Sequence, residues 1–186
     1  SGFGLRLDSG TSDITVTNSV IENYQVAVYI IKGSGSNAVR NFTLSHSIIQ
    51  NNGGQGFLGG GPDTYIGHNT FINNGHFGVF DHNIYFGCAD MGDSDPPCPF
   101  VIEYNEVQGA SRDSAGRCQG AEIVAHGYLN GTIIRNNIIQ EPDGAVETCY
   151  GIMVNPSYSR LEVMSNLTIT GNQIYDVGRS GIFVEA

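Results

Sequence analysis

An internal repeat is the feature that most restricts the folds open to this chain. Six segments share one plan, in which a short β-type run, a polar corner and a second apolar run follow one another. These segments are residues 13–23, 41–51, 63–74, 100–109, 131–140 and 167–176. A third short run follows each of them, at 26–31, 56–60, 83–87, 120–124, 151–155 and 181–185. Three short strands per repeat, with insertions of variable length, are typical of a solenoid of β coils.

Two side-chain rows follow from aligning the repeats. One apolar position of the second run is predicted to be equivalent in all six, at Val20, Ile48, Phe71, Val107, Ile138 and Ile174. The corner before it is predicted to form a polar row, at Asn18, His46, Asn69, Asn105, Asn136 and Asn172. Stacked coils place such side chains about 4.8 Å apart. Asparagine amides can hydrogen-bond along such a row and tolerate left-handed backbone. A ladder of this kind explains the 17 asparagines of the chain without a functional role.

Composition agrees with an all-β chain and excludes several partners. The apolar runs are rich in Val, Ile, Thr, Phe and Tyr and end at Gly, Asn or Asp, which is strand and turn chemistry. The formal net charge is -10, so no nucleic-acid partner is expected, because nucleic acids bind basic surfaces. No apolar run is long enough for membrane insertion. The 186 residues fit a single domain, 1–186.

The runs ITVTNSVIEN (14–23), LTITGNQIYD (167–176) and HNIYFG (82–87) carry a family resemblance. On these residues the chain resembles the right-handed parallel β-helix superfamily, the pectate-lyase-like fold. The resemblance covers essentially the whole chain and implies a right-handed parallel β-helix solenoid of about six to seven coils with corner-loop insertions. Solenoid ends expose core and strand edges. We therefore expect the chain to be part of a longer one, or a subunit or adjoining domain to cap its ends.

Four cysteines allow three disulfide connectivities if all of them pair. Cys118 and Cys149 each precede a repeat glycine by two residues, so they are predicted to be neighbours on adjacent coils, within disulfide range. Cys88 and Cys98 then bracket an insertion and can close it. Two such bonds predict an oxidising compartment, hence a secreted or cell-surface protein. The alternative is four buried thiols in a cytosolic solenoid.

The third runs form the predicted binding face, since enzymes that resemble this fold usually hold sugar chains in a groove along one strand face. The period of two in a strand predicts an outward row of Tyr29, Leu58, Tyr85, Glu122, Met153 and Phe183. Such a row suits stacking on sugar rings. His126 and Tyr128 follow the fourth of these runs, and Arg135 is one of few basic residues nearby, so all three are predicted to bind substrate. The alternative is that loops such as 88–99 or 109–119 cover this face.

Four polar residues are the candidate catalytic set: Asp81, His82, Tyr85 and Glu122. Asp81 and Glu122 could act as the carboxylate pair of a hydrolase. His82 and Tyr85 could instead act as the acid–base pair of a lyase or C5-epimerase on uronic acids. The few arginines depart from the family pattern, because uronates need positive charge nearby. For His82 the alternative is a structural corner residue.

Asp90, Asp93 and Asp95 lie between Cys88 and Cys98 and offer three oxygen ligands, which suit Ca²⁺. The segment lacks the glycine and distal glutamate of an EF-hand loop, and a solvated acidic loop is the alternative.

The sequence therefore predicts an extracellular carbohydrate-active protein that cleaves or modifies a polysaccharide as a lyase, hydrolase or epimerase. The alternative is a non-catalytic β-helix, such as an adhesin, a tailspike-like protein or a surface protein segment that binds glycan.

Overall fold

The computed structural model describes residues 2–31, 37–76, 78, 80–88, 98–141, 148–156, 162 and 164–185. These residues contain 19 strands, numbered β1 to β19 in chain order, and no α-helix. All strand pairings are parallel, as is typical of sheets whose strands are joined by crossovers. The predicted all-β class is confirmed.

The strands form three sheets. The first sheet contains β1 (Phe3–Leu7), β4 (Val26–Ile30), β7 (Phe57–Gly59), β10 (Ile84–Cys88), β13 (Ala121–Gly127), β16 (Cys149–Val154) and β19 (Gly178–Val184). The second contains β2 (Ser12–Thr17), β5 (Arg40–Ser45), β8 (Thr64–Gly67), β11 (Phe100–Glu103), β14 (Ile133–Arg135) and β17 (Thr168–Thr170). The third contains β3 (Val20–Glu22), β6 (Ile48–Gln50), β9 (Thr70–Ile72), β12 (Glu106–Gln108), β15 (Ile138–Gln140) and β18 (Gln173–Tyr175).

Successive strands enter the three sheets in rotation. The chain passes from the first sheet to the second, then to the third, and back to the first. Each strand therefore pairs with its counterpart in the next repeat rather than with its neighbour in the chain. Every run identified in the six repeats contains a strand. This order is consistent with the parallel β-helix predicted from the repeat.

The core is built from the inward side chains of all three sheets. Its largest members are five fully buried phenylalanines, Phe42, Phe57, Phe71, Phe86 and Phe100. The rings of Phe86 and Phe100 stack with centroids 3.5 Å apart. Burying one such side chain contributes about 1.5–3 kcal/mol. Because strand side chains alternate in direction, this core determines which residues of each strand face outward.

The predicted apolar row is wrong by one residue at three of its positions. Phe71 pairs with Ile49 rather than with Ile48. The buried or partly buried inner row is Ile21, Ile49, Phe71, Val107, Ile139 and Ile174. Val20, Ile48 and Ile138 are 60%, 41% and 44% exposed. Those three runs carry two adjacent apolar residues, and a shift of one residue moves a side chain to the other face.

The predicted polar row merges two neighbouring rows. The buried ladder runs through Ser47, Asn69, Asn105, Asn137 and Asn172, in which each asparagine Oδ1 accepts a hydrogen bond from the backbone N–H of the preceding member. One residue earlier lies the left-handed row, with positive φ at Asn18, His46, His68, Tyr104 and Asn136. The two asparagine properties expected of one row, hydrogen bonding and left-handed backbone, are thus divided between adjacent positions.

Both predicted disulfides are present. Cys118–Cys149 joins adjacent coils with a Cα–Cα distance of 5.5 Å, and Cys88–Cys98 spans 6.4 Å. Two disulfides suggest an oxidising environment. The described residues include no helix able to cross a membrane.

Replacing Cys118 and Cys149 together by serine is expected to lower the free energy of unfolding by about 3–4 kcal/mol. The disulfide closes a loop with a sequence separation of 31 residues and so reduces the conformational entropy of the unfolded chain. The Cys88→Ser/Cys98→Ser variant is the matched control. Its separation is 10 residues, so its loss should be about 1 kcal/mol smaller. Urea denaturation measures both, and a larger loss for the shorter loop would contradict the loop-entropy account.

Candidate functional site

The outer face of the first sheet carries a continuous row of large side chains. Strand register places Tyr29, Leu58, Tyr85, Val124, Met153 and Phe183 next to one another in that order. We call this the outer row. Five of its six members are those predicted. Val124 stands in the place expected for Glu122 and is fully buried, so the accessible part of the row is interrupted there. The predicted binding residues Met153 and Phe183 lie half-buried at the far end of the row.

A cavity of about 500 Å³ opens at the other end of the outer row. Tyr29, Leu58 and Tyr85 line it together with Gln55. Phe3 stacks on Tyr29 with ring centroids 4.8 Å apart, which extends the aromatic surface to the first strand. Aromatic faces interleaved with a polar amide are the surface chemistry that sugar rings fit, since sugars carry both apolar C–H faces and hydroxyls.

Two histidines flank Tyr85. The His82 ring lies 5.7 Å from the Tyr85 ring, and His126 approaches it edge-on at 5.1 Å. Strand β10 supplies Tyr85, the turn before that strand supplies His82, and β13 supplies His126. Both histidines are buried, at 3% and 4% exposure. The structure thus brings together three of the predicted site residues.

Backbone carbonyls set the tautomer of both rings. His82 Nδ1 lies 2.8 Å from the Ala121 carbonyl oxygen, and His126 Nδ1 lies 2.5 Å from that of Asn155. A carbonyl oxygen only accepts, so each Nδ1 carries the proton and donates it. In the neutral His82 ring the Nε2 then holds a lone pair, which is what a general base needs.

Burial lowers the pKa of His82 to about 4, and nearby His126 lowers it further, while the hydrogen bond to Ala121 opposes the shift. His82 is therefore neutral at pH 7. Its Nε2 is ready to accept a proton without first losing one.

This depressed pKa predicts acid sensitivity. The pKa of His82 is about 4 in the folded protein and 6.5 for an ordinary histidine. Between pH 4 and 6.5 the unfolded chain therefore binds a proton more readily than the folded protein does. The stability contributed by the neutral ring is present above pH 6.5 and is lost as pH falls towards 4, by about 3 kcal/mol in total. Urea denaturation across this range should show the loss in the wild type and a flatter profile in His82→Gln. The exposed His76→Gln control should keep the wild-type profile, and an identical profile for His82→Gln would contradict the assignment.

Asp81 lies beside this cluster. Its Oδ1 lies close to Gly54, the residue that precedes Gln55 of the cavity. A Cβ atom added at Gly54 would be 3.7 Å from this oxygen. Partial burial raises the pKa of the Asp81 carboxyl. Within the described part of the chain this carboxylate makes no hydrogen bond or ion pair, so it is free to meet a ligand.

Glu122 is not part of an accessible site. It is fully buried, and its carboxylate accepts from Asn83 Nδ2 at 2.5 Å and from the Ala110 backbone N–H at 2.9 Å. The predicted exposure of Glu122 is wrong, because its side chain ends a second asparagine ladder. That ladder runs through Asn52, Asn74 and Asn83 to Glu122. The carboxylate pair expected for hydrolysis therefore loses one member.

Two other predicted binding residues lie away from the cavity. Arg135 belongs to β14 of the second sheet and pairs with Glu103, whose other oxygen accepts from the Tyr65 hydroxyl at 3.0 Å. Its predicted role in binding substrate on the face of the third runs stays a prediction, and the structure places it on a different sheet. Tyr128 is half-buried just after β13, and its backbone N–H donates to the Cys88 carbonyl at 3.3 Å.

The predicted calcium ligands Asp90, Asp93 and Asp95 lie outside the described residues. Within the described ranges, one group has metal-ligand geometry, Cys118, Glu141 and Cys149. Its two sulfurs form a disulfide and Glu141 pairs with Arg112 at 2.6 Å, so this group is structural.

Sequence reasoning missed Ser111. It is fully buried, and its Oγ lies 2.8 Å from His82 Nδ1 and donates to the Asp81 carbonyl at 2.7 Å. It therefore fixes the turn that carries both residues. Ser111 lies in a non-repeating insertion, where no periodic signal could have placed it.

Comparisons of the chain with protein-family models, with curated proteins and with solved structures found no match.

Proposed function

We propose that the chain is a right-handed parallel β-helix of an extracellular, carbohydrate-active protein. In this proposal a polysaccharide binds at the Tyr29, Leu58 and Tyr85 end of the outer row and is modified by proton transfer at Tyr85, His82 and His126. The rotation of strands through three parallel sheets supports the β-helix, and the two disulfides support secretion.

The observation that carries the proposal is that Tyr85 both lines an aromatic cavity and contacts two carbonyl-oriented imidazoles. In a lyase reaction, a histidine Nε2 takes the proton from C5 of a uronic acid. The C5–H electron pair becomes the C4–C5 double bond, and the glycosidic oxygen leaves with the Tyr85 hydroxyl proton. In an epimerase, C5 is instead reprotonated from the opposite face. Such proton transfers contribute about 10²–10⁴-fold to rate.

Uronate chemistry also needs positive charge near the sugar carboxylate. Arg112 and Arg135 are engaged by Glu141 and Glu103, respectively. A bound cation would therefore supply the charge, and Asp90, Asp93 and Asp95 remain the proposed Ca²⁺ ligands. Hydrolysis has less support, because Glu122 is held inside the ladder.

Incubation with a panel of acidic and neutral polysaccharides, with and without chelator, tests this function. A lyase gives the ultraviolet absorbance of an unsaturated uronate, and an epimerase incorporates solvent deuterium at C5. Chelator should reduce either signal. New reducing ends without unsaturation would indicate a hydrolase and would contradict the proton-transfer chemistry.

A non-catalytic glycan-binding protein is the second candidate. The locked Glu122 favours it, because only Asp81 of the predicted carboxylate pair stays free. Two results together would select this candidate. No polymer would give a product, and the wild-type protein would be retarded in polysaccharide-containing gels whereas Tyr29→Ala would not.

The two ends of the sheets suggest a further partner. Strands β1, β2 and β3 are the edge strands at one end, and β17, β18 and β19 at the other. Open edges of parallel sheets are usually covered. We propose that a subunit or adjoining domain caps them.

A further inference from the structure

A stack of rings lies at the corner between the second and third sheets, away from the outer row. His46, His68 and Tyr104 occupy successive positions of the left-handed row. Their ring centroids are 4.9 Å and 5.0 Å apart, with interplanar angles of 11° and 9°. This spacing matches the separation of parallel strands, so each coil adds one ring to the stack.

The stack ends abruptly at Tyr104. Each residue of this row directly follows the last paired residue of a second-sheet strand. Glu103 pairs with Arg135, so Tyr104 is followed in the row by Asn136. Arg135 pairs with Thr170, so Asn136 is followed by Gly171. An asparagine side chain is shorter than an aromatic ring and a glycine has none. The face of the Tyr104 ring that points away from His68 is therefore partly uncovered, and the residue is 49% exposed.

A cavity of about 400 Å³ lies beside the Tyr104 ring and extends from His68 to Asn136, so it includes the uncovered side of the ring. Tyr104 and Asn136 line it from the corner, and Glu106 and Ile138 line it from the third sheet. The size suits a single ring with its substituents rather than a large ligand.

The buried amides of Asn69 and Asn105 at the floor of this cavity are hydrogen-bonded in the ladder, whereas three outer polar groups are not. Among the described residues, nothing hydrogen-bonds to the Tyr104 hydroxyl, the Glu106 carboxylate or the Asn136 side chain. Elsewhere on the protein, polar side chains pair between successive repeats. Gln50 donates to Glu22 at 2.7 Å and Asn41 donates to Asp13 at 2.6 Å. The cavity thus combines an open aromatic face with unused acceptors and donors.

We propose that this cavity binds a neutral sugar ring. The apolar C–H face of the sugar continues the stack on Tyr104, and its hydroxyls donate to the Glu106 carboxylate and bond to the Asn136 amide. An anionic ligand is disfavoured, because Glu106 lies in the cavity and the chain carries a net charge of -10. The site is separate from the outer row, so it does not depend on the catalytic proposal.

The test is binding of neutral methyl hexosides and their oligomers, measured by saturation-transfer NMR and calorimetry. Tyr104→Asn should weaken binding about tenfold or more, because it removes the stacking face. Asn136→Tyr should abolish binding, because a fourth ring covers that face. Both substitutions suit the fold, since Asn and Tyr each already occupy this left-handed row.

His46→Asn, at the other end of the stack, is the matched control and should keep wild-type affinity. Unchanged affinity in Tyr104→Asn would overturn the site. So would equal affinity for glucuronate, an equal loss in His46→Asn, or a wild-type protein that binds no neutral sugar. Unaltered urea midpoints for Tyr104→Asn and Asn136→Tyr confirm that any loss comes from the cavity.

Discussion

Asn105→Ala is expected to lower the free energy of unfolding by about 3–5 kcal/mol, a large fraction of the stability of an ordinary domain. The buried Asn105 side chain accepts from the Asn69 N–H and from Asn69 Nδ2, at 3.0 and 3.1 Å. It donates to the carbonyl of Ile66 and to Asn137 Oδ1, both at 3.0 Å. Alanine would remove all four buried hydrogen bonds and leave the Asn69 N–H without its acceptor, and each buried group left unbonded costs about 1–3 kcal/mol.

Asn172→Ala is the matched control at the end of the same ladder. Asn172 accepts from Asn137 and donates to the Ile134 carbonyl at 2.9 Å, but it is only partly buried. Water can replace its bonds, so we expect a loss of about 1 kcal/mol. Urea denaturation measures both variants. Equal losses would show that the ladder is not held together by its buried hydrogen bonds.

Under the proposed function, Tyr85→Phe is expected to lower kcat on a polysaccharide by about 10²–10⁴-fold, because the variant keeps the ring but loses the hydroxyl proposed as proton donor. KM should change little, since stacking is retained. The wild-type kcat should also fall as pH decreases through about 4, where protonation of His82 removes the Nε2 lone pair. Steady-state kinetics across pH measure both effects.

Tyr29 provides the control within the same row. It lines the cavity without lying beside a histidine pair, so Tyr29→Phe should keep wild-type kcat and Tyr29→Ala should raise KM. If Tyr85→Phe had the same kcat as the wild type, Tyr85 would not take part in proton transfer and would be a binding residue only.

The architecture could be predicted from the sequence because its contacts repeat. In stacked repeats each residue lies beside its counterpart one repeat away, so similarity between segments reports spatial proximity directly. For this reason the three-run pattern located strands of all three sheets, and the shared repeat position of Cys118 and Cys149 identified their disulfide. The outer row followed from strand alternation alone for Tyr29, Leu58 and Tyr85.

The candidate site could be predicted only in part. The sequence made His82, Tyr85 and His126 candidates. The structure adds the contacts of both imidazoles with Tyr85 and the carbonyls that orient them. Glu122 has the outward alternation expected of a surface residue. Its burial depends on Ala110 and Asn83, which an insertion and a second ladder bring to it.

By itself, the sequence determined the repeat, the parallel sheets, the disulfide pairing and the chemical character of the outer row, since all of these depend on periodic spacing. Only the tertiary structure decided which of two adjacent isoleucines, Ile48 or Ile49, faces the core, and whether Glu122 is free or buried. The physical reason is that both outcomes depend on the insertions and turns between strands. Their length and packing follow no period, and a shift of one residue in them turns a side chain from solvent to core.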